Sequence, residues 1–154
     1  MRLTSFVHLF GMSLWIGGMV ATMVLRANTK SAMGAERNAA LRWTGRVYSL
    51  VVGPGALLTV VSGLVLTMSL AQRGASHLMA QPYIWVMEVA GLVAGVLVLF
   101  LALPTAATMA RMADAAADGD LPPSFGGLQR RLSVIVHVVA VLVVLSLFFY
   151  AVLR

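Results

Sequence analysis

Three histidines and one glutamate are the residues of this chain best placed to do chemistry. His8 opens the apolar stretch HLFGMSLWIGGMV, His137 lies inside LSVIVHVVAVLVV, Glu88 follows Trp85 in PYIWVMEVAG, and His77 falls in the polar segment AQRGASHLMAQ. An ionisable group inside an apolar segment is costly unless it is paired or neutral, so His8, Glu88 and His137 are candidates for function. Imidazole is the commonest metal ligand and also serves as an axial ligand to haem, while a carboxylate can join a metal site or carry protons. The plainer alternative for each histidine is a neutral ring in an interhelical hydrogen bond. For Glu88 it is a protonated or interfacial carboxyl. The chain has no cysteine, which excludes disulfides, iron–sulfur clusters and thiolate sites. Ser5 and Ser13 near His8 lack a base–acid arrangement, and there is no phosphate-binding glycine loop, so hydrolytic and nucleotide chemistry are not indicated.

The elements that must position these groups follow from composition. Of 154 residues, 60% are hydrophobic and only 10% charged, more apolar surface than a soluble domain of this size could bury. The expected fold is an all-α integral membrane protein, a single up-down bundle of four transmembrane helices at about Leu3–Leu25, Val47–Leu70, Tyr83–Ala110 and Leu132–Leu153. The N-terminal apolar run is too long for a cleavable signal peptide. The net charge of +6 reads as topology-setting loops that meet a lipid bilayer, with no role in binding nucleic acid. Eight of the eleven basic residues (Arg26, Lys30, Arg37, Arg42, Arg46, Arg111, Arg130 and Arg131) fall in the loops 26–46 and 111–131. Those loops are therefore expected to be cytoplasmic and both termini outside.

At 100° per residue, His8, Gly11, Met12, Trp15, Gly18, Met19, Thr22 and Arg26 share one stripe of the first helix. The second helix repeats small or polar residues every seven positions, at Arg42, Ser49, Ala56 and Gly63 and at Arg46, Gly53, Val60 and Thr67. The third aligns Trp85, Glu88, Gly91, Gly95 and Ala102, and the fourth Arg130, Ser133, His137, Ala140, Val144 and Ala151. Gly11, Gly18, Gly53, Gly63, Gly91 and Gly95 are expected to be packing positions, and Pro54 and Pro104 to kink their helices. His8 and His137 each lie about 8 Å inside opposite faces of a core ~30 Å thick. That leaves them on the order of 15 Å apart, too far to hold one metal, whose ligand nitrogens stand roughly 4 Å apart. His77 and Glu88 are the groups that could join His8 at its end. His137 instead sits with Arg26, Arg42, Arg46, Arg130 and Arg131, a charge set suited to haem propionates or to anionic lipid.

The stretch HLFGMSLWIGGMV, with His8, Trp15, Gly17 and Gly18, resembles the first helix of a group of small bacterial four-helix membrane proteins. That group includes the CopD-type copper-resistance membrane domain and the HemJ-type protoporphyrinogen oxidase. LRWTGRVYSLVVGPGALLTVVSGLVL is similar to their second helix, with arginines ahead of it, a central proline and a T-x-x-S-G ending. The resemblance covers about a third of the chain. It implies a multi-pass protein of the bacterial inner membrane and His8 as a ligand to haem or, in the CopD-type reading, to copper. It also matches Arg42 or Arg46 to the family's basic residue before helix two. The chain departs from the oxidase pattern in having Glu88 where that type has a lysine, and in lacking its Asn-Glu-x-Pro stretch.

The leading expectation is thus a haem b-binding protein with an electron-transfer role, an oxidoreductase if it is an enzyme at all. His8 would be the axial ligand with Trp15 stacked beneath it, and His137, Arg42, Arg46 and Arg130 would form a second site. Metal ligation would draw on His8, His77, His137 and Glu88. One alternative is transport of copper or a small solute along His8, Met12, Met19 and Glu88. Another is an accessory subunit, or a homo-oligomer, packed against other membrane helices in a larger respiratory complex.

Overall fold

The computed structural model describes residues 2–28, 31–74, 81–116 and 120–153; Lys30, His77 and Arg154 lie outside them. Four helices carry the described residues, and each is long and apolar enough to cross a membrane: α1 (Arg2–Asn28), α2 (Gly34–Gln72), α3 (Pro82–Ala116) and α4 (Phe125–Leu153). There is no strand among the described residues.

The helices outrun the apolar spans read from the sequence. α2 begins at Gly34, so the basic stretch ahead of Val47 is not a loop. Ala, Leu, Glu and Arg favour helix there, and Asn38, Ala40, Thr44, Gly45 and Tyr48 are buried along it. Hydropathy reports which residues suit lipid, and so it passes over a polar helix that continues an apolar one. With 39 and 35 residues, α2 and α3 are about 58 Å and 52 Å long at 1.5 Å per residue. The ends have local causes. Gly74, at φ +72, closes α2 in a left-handed turn that returns its N–H to the Ala71 carbonyl. Pro82 starts α3 at the one position where a missing N–H costs nothing.

Both long helices widen to a π-helical turn just before their prolines, at Tyr48–Val52 and at Leu97–Ala102. The Gly53 N–H bonds to the Tyr48 carbonyl, and the Leu103 N–H to the Val98 carbonyl. A proline ring crowds the carbonyl four residues back and offers it no N–H; one extra residue per turn relieves the clash. The insertion also rotates everything beyond it. The seven-residue repeat expected along the second helix therefore breaks: Ser49 is exposed, whereas Tyr48, Val52, Gly55, Ala56, Thr59 and Ser62 are buried.

Neighbouring helices run antiparallel. Gly11 lies against Thr59 and Gly55, and Gly18 against Val52, which pairs α1 with α2. Gly45 lies against Ala110, Gly53 against Leu103 and Gly95 against Val60, which pairs α2 with α3. α3 and α4 flank an apolar cleft of about 430 Å³ between Trp85–Val93 and Leu142–Phe149. The principal contacts run in chain order, with α1 and α4 as the outer members, and α2 and α3 are closest in the half that holds the arginines. One end of the bundle thus gathers Arg26, Arg37, Arg42, Arg46, Arg111, Arg130 and Arg131; the other holds Arg2, His8, Arg73 and Glu88.

A single core joins all four helices. It includes Trp15 and Met19 from α1, Tyr48, Val52 and Ala56 from α2, Ala94, Val98, Ala102, Ala106 and Met109 from α3, and Leu132, Ile135, Val136 and Val139 from α4. The inward stripe expected for the first helix is the one observed. On α3 the buried stripe is Ala90, Ala94, Val98, Ala102 and Ala106, whereas Trp85 is exposed and Gly91 has open space where a side chain would stand. Gly91 is therefore not the packing position expected of it. On α4 the buried residues stand one position away from the expected stripe, a 100° rotation that leaves His137 exposed. Leu132, Ile135, Val136 and Val139 join the core on that helix instead.

Candidate functional site

His8 projects from the second turn of α1 toward α2. Its Nδ1 lies 2.9 Å from the Thr59 carbonyl oxygen and 3.2 Å from Ser62 Oγ. A carbonyl can only accept, so Nδ1 carries the proton and donates to it. Ser62 Oγ takes a second share of that proton while its own hydroxyl donates to the Leu58 carbonyl at 2.5 Å. No described residue hydrogen-bonds to Nε2, which is the nitrogen left for a ligand bond. Gly63 makes room for the ring: a Cβ there would stand 3.1 Å from His8 Cε1. A histidine whose Nδ1–H is held by a backbone carbonyl has the tautomer and the fixed orientation of a metal or haem ligand.

Trp15 lies two turns below His8 on the same stripe, about 10 Å deeper at 1.5 Å per residue. It is 3% exposed, packed in the core with its backbone against Gly55, so it floors the region beneath His8. Its indole N–H is buried with no acceptor among the described residues. An unmatched buried donor costs about 1–3 kcal/mol, which an acceptor on a bound group or a water would recover. Met12 is half-buried and Met19 buried in the same core, so the stripe from His8 through Met12 and Met19 runs into close packing.

Glu88 is half-buried and accepts a short hydrogen bond from Thr67 Oγ1 across the α2–α3 contact. Thr67 is five to eight residues beyond the partners of His8 on α2, roughly 8–12 Å along the axis. His8 and Glu88 thus belong to one end of the bundle but not to one ligand set. His77 lies outside the described residues. His137 donates Nδ1–H to the Ser133 carbonyl of its own helix at 2.7 Å and faces outward, away from the other helices. Among the described residues no three His, Asp or Glu side chains converge as a metal cluster. A single axial histidine needs no such cluster.

Arg42, Arg46 and Arg130, expected with His137 and not with His8, lie at the end of the bundle opposite His8. Arg46 is thirteen residues before Thr59 on α2, about 20 Å along the axis, and Arg42 is further still. Neither can reach a group held by His8. Arg42 approaches Asp114 at 3.8 Å, Arg46 lies over the Trp43 ring at 5.1 Å, and Arg130 is exposed on α4. Arg26 is half-buried beside Tyr48, whose buried side chain hydrogen-bonds Thr22. In the sequence Thr59 and Ser62 stood out only as the T-x-x-S-G ending; the structure makes them the residues that hold His8. The signal was two hydroxyl residues three apart in an apolar run. Compared with protein-family models, with curated proteins and with solved structures, the chain finds no match in any of the three.

Proposed function

We propose that this chain is a multi-pass membrane protein that binds haem b at the His8 end and takes part in electron transfer, with His8 Nε2 as the axial ligand. The observation that carries the reading is the Nδ1–H bond from His8 to the Thr59 carbonyl, which orients the ring and leaves Nε2 without a hydrogen-bond partner among the described residues. Membrane placement draws on four long apolar helices and on large exposed Leu, Val and Phe side chains along every one of them. The excess of arginine at the end opposite His8 favours that end as the cytoplasmic side of a bacterial inner membrane. Gly63 leaves room for the imidazole, and the buried Trp15 N–H below it has no hydrogen-bond partner among the described residues.

Haem, when bound, supplies a one-electron iron couple in an apolar setting. The residues of the chain do the rest. The Thr59 carbonyl fixes the ring plane and its tautomer. Ser62 limits ring rotation by sharing the same proton, and Trp15 with the core below closes the site from the arginine end. The test is an absorption spectrum of the full-length chain purified from membranes of haem-replete cells. A Soret band that shifts on reduction is expected. A colourless protein refutes the reading, and stoichiometric copper in that colourless sample transfers the site to metal handling.

A further inference from the structure

At the arginine end, α2 and α3 touch through Gly45 and Ala110 and leave a cleft of about 240 Å³ beside that contact. Arg42, Arg46 and Ser49 line it from α2, and Arg111 and Asp114 from α3. Three guanidiniums face one carboxylate, so two positive charges are in excess. Asp114 is paired with Arg42 at 3.8 Å. Arg46 is held by the exposed Trp43 ring, and Arg111 donates to Thr108 Oγ1 at 3.0 Å; neither has a carboxylate partner among the described residues.

The depth of the cleft says what chemistry it meets. Arg46 is the last residue before the apolar run that begins at Val47, and Arg111 the first after the run that ends at Ala110. The Gly45–Ala110 contact puts both at one level. Below that level large apolar side chains are exposed. Leu50, one turn beyond Arg46, is 73% exposed, and Phe100, two turns before Ala107, is 70% exposed. Two guanidiniums without a carboxylate partner among the described residues, and a hydroxyl, beside the start of an exposed apolar surface match a molecule with an anionic head and hydrocarbon tails. An exposed tryptophan at the same level is the residue type enriched where membranes meet water.

We propose that the α2–α3 cleft binds the phosphodiester headgroup of an anionic phospholipid, whose acyl chains lie along Leu50 and Phe100. Arg46 and Arg111 would clamp the phosphate, Ser49 is within the same lining, and Arg42 is held in place by Asp114. The proposal rests on the membrane reading above but not on haem.

The test uses the full-length chain in a neutral detergent, with lipid binding read by native mass spectrometry and by thermal shift. Phosphatidylglycerol should bind and stabilise in preference to phosphatidylcholine. Removing both charges in R46Q/R111Q should weaken phosphatidylglycerol about 30-fold, at about fivefold for each basic residue near the headgroup. R46K/R111K, which keeps the charges, should retain most of the binding and shows whether the glutamine variant has merely misfolded. R130Q/R131Q lowers the charge of the same end equally and should leave binding unchanged. Equal affinity for the two lipids, full binding by R46Q/R111Q, or equal loss in R130Q/R131Q would overturn the proposal. So would inorganic phosphate binding as tightly as the lipid, which assigns the cleft to a free anion. Resistance of the chain to carbonate extraction reports membrane insertion separately, so failure of that reading is not confused with failure of the lipid site.

Discussion

The two ends of the bundle are built differently. Toward the arginine end and through the middle, inward-facing side chains are buried: Tyr48, Val52, Val98, Leu132 and Val139 are each at most 1% exposed. Toward the His8 end, described side chains are at best half-buried before Gly11 in α1, after Ser62 in α2, before Ala90 in α3 and after Val139 in α4. Polar groups are inward at both ends: Thr22, Asn38, Thr44 and Thr105 are buried in the arginine half, whereas at the looser end His8 meets Thr59 and Ser62 and Glu88 meets Thr67. A close-packed half gives the fold its rigidity. The half left open is where a side chain such as His8 can offer a lone pair instead of filling space.

Substitutions can break or sharpen that contrast. The largest effect is expected from Leu132→Ala, which empties a fully buried position and should cost about 2–5 kcal/mol. Leu147→Ala, exposed on the same helix toward the His8 end, should change stability by less than about 0.5 kcal/mol. Reversible unfolding in mixed micelles measures both, and equal effects would erase the distinction between the two halves. Next comes Gly55→Ala. Its Cβ would stand 2.6 Å from the Trp15 backbone nitrogen, where no flexible atom can give way, so α1 and α2 must part at a cost of about 1–3 kcal/mol. Thr67→Val removes the donor to Glu88 and should cost about 1 kcal/mol in the same assay. The smallest effect belongs to Gly91→Ala, where nothing lies within 4 Å: unfolding should move by less than about 0.5 kcal/mol either way.

Much of the fold was legible in the sequence. Runs of about 20 apolar residues marked the four helices, and the stripe of α1 from Gly11 to Thr22 is the buried one. What stayed hidden has physical causes. The helical stretch Gly34–Arg46 is polar, and hydropathy alone reads it as a loop. The π-helical turns at Tyr48–Val52 and Leu97–Ala102 add a residue to the period, so a regular repeat cannot be carried across them. On α4 nearly every residue is apolar, and such a helix gives no pattern to orient it, so residue type alone points His137 inward. For the site, the residue types pointed to His8. Its partners could not be read, because a hydroxyl side chain in an apolar helix bonds its own helix as readily as a neighbour, as Ser146 does to Leu142.

The account turns on His8 being the ligand and His137 being a bystander on the outer face. Haem content per chain, measured in parallel for the native protein, His8→Ala and His137→Ala, tests this most directly. The expected result is near-stoichiometric haem in the native protein and in His137→Ala, and loss of haem in His8→Ala with the chain still folded in the membrane. Full haem in His8→Ala, or loss confined to His137→Ala, would contradict it.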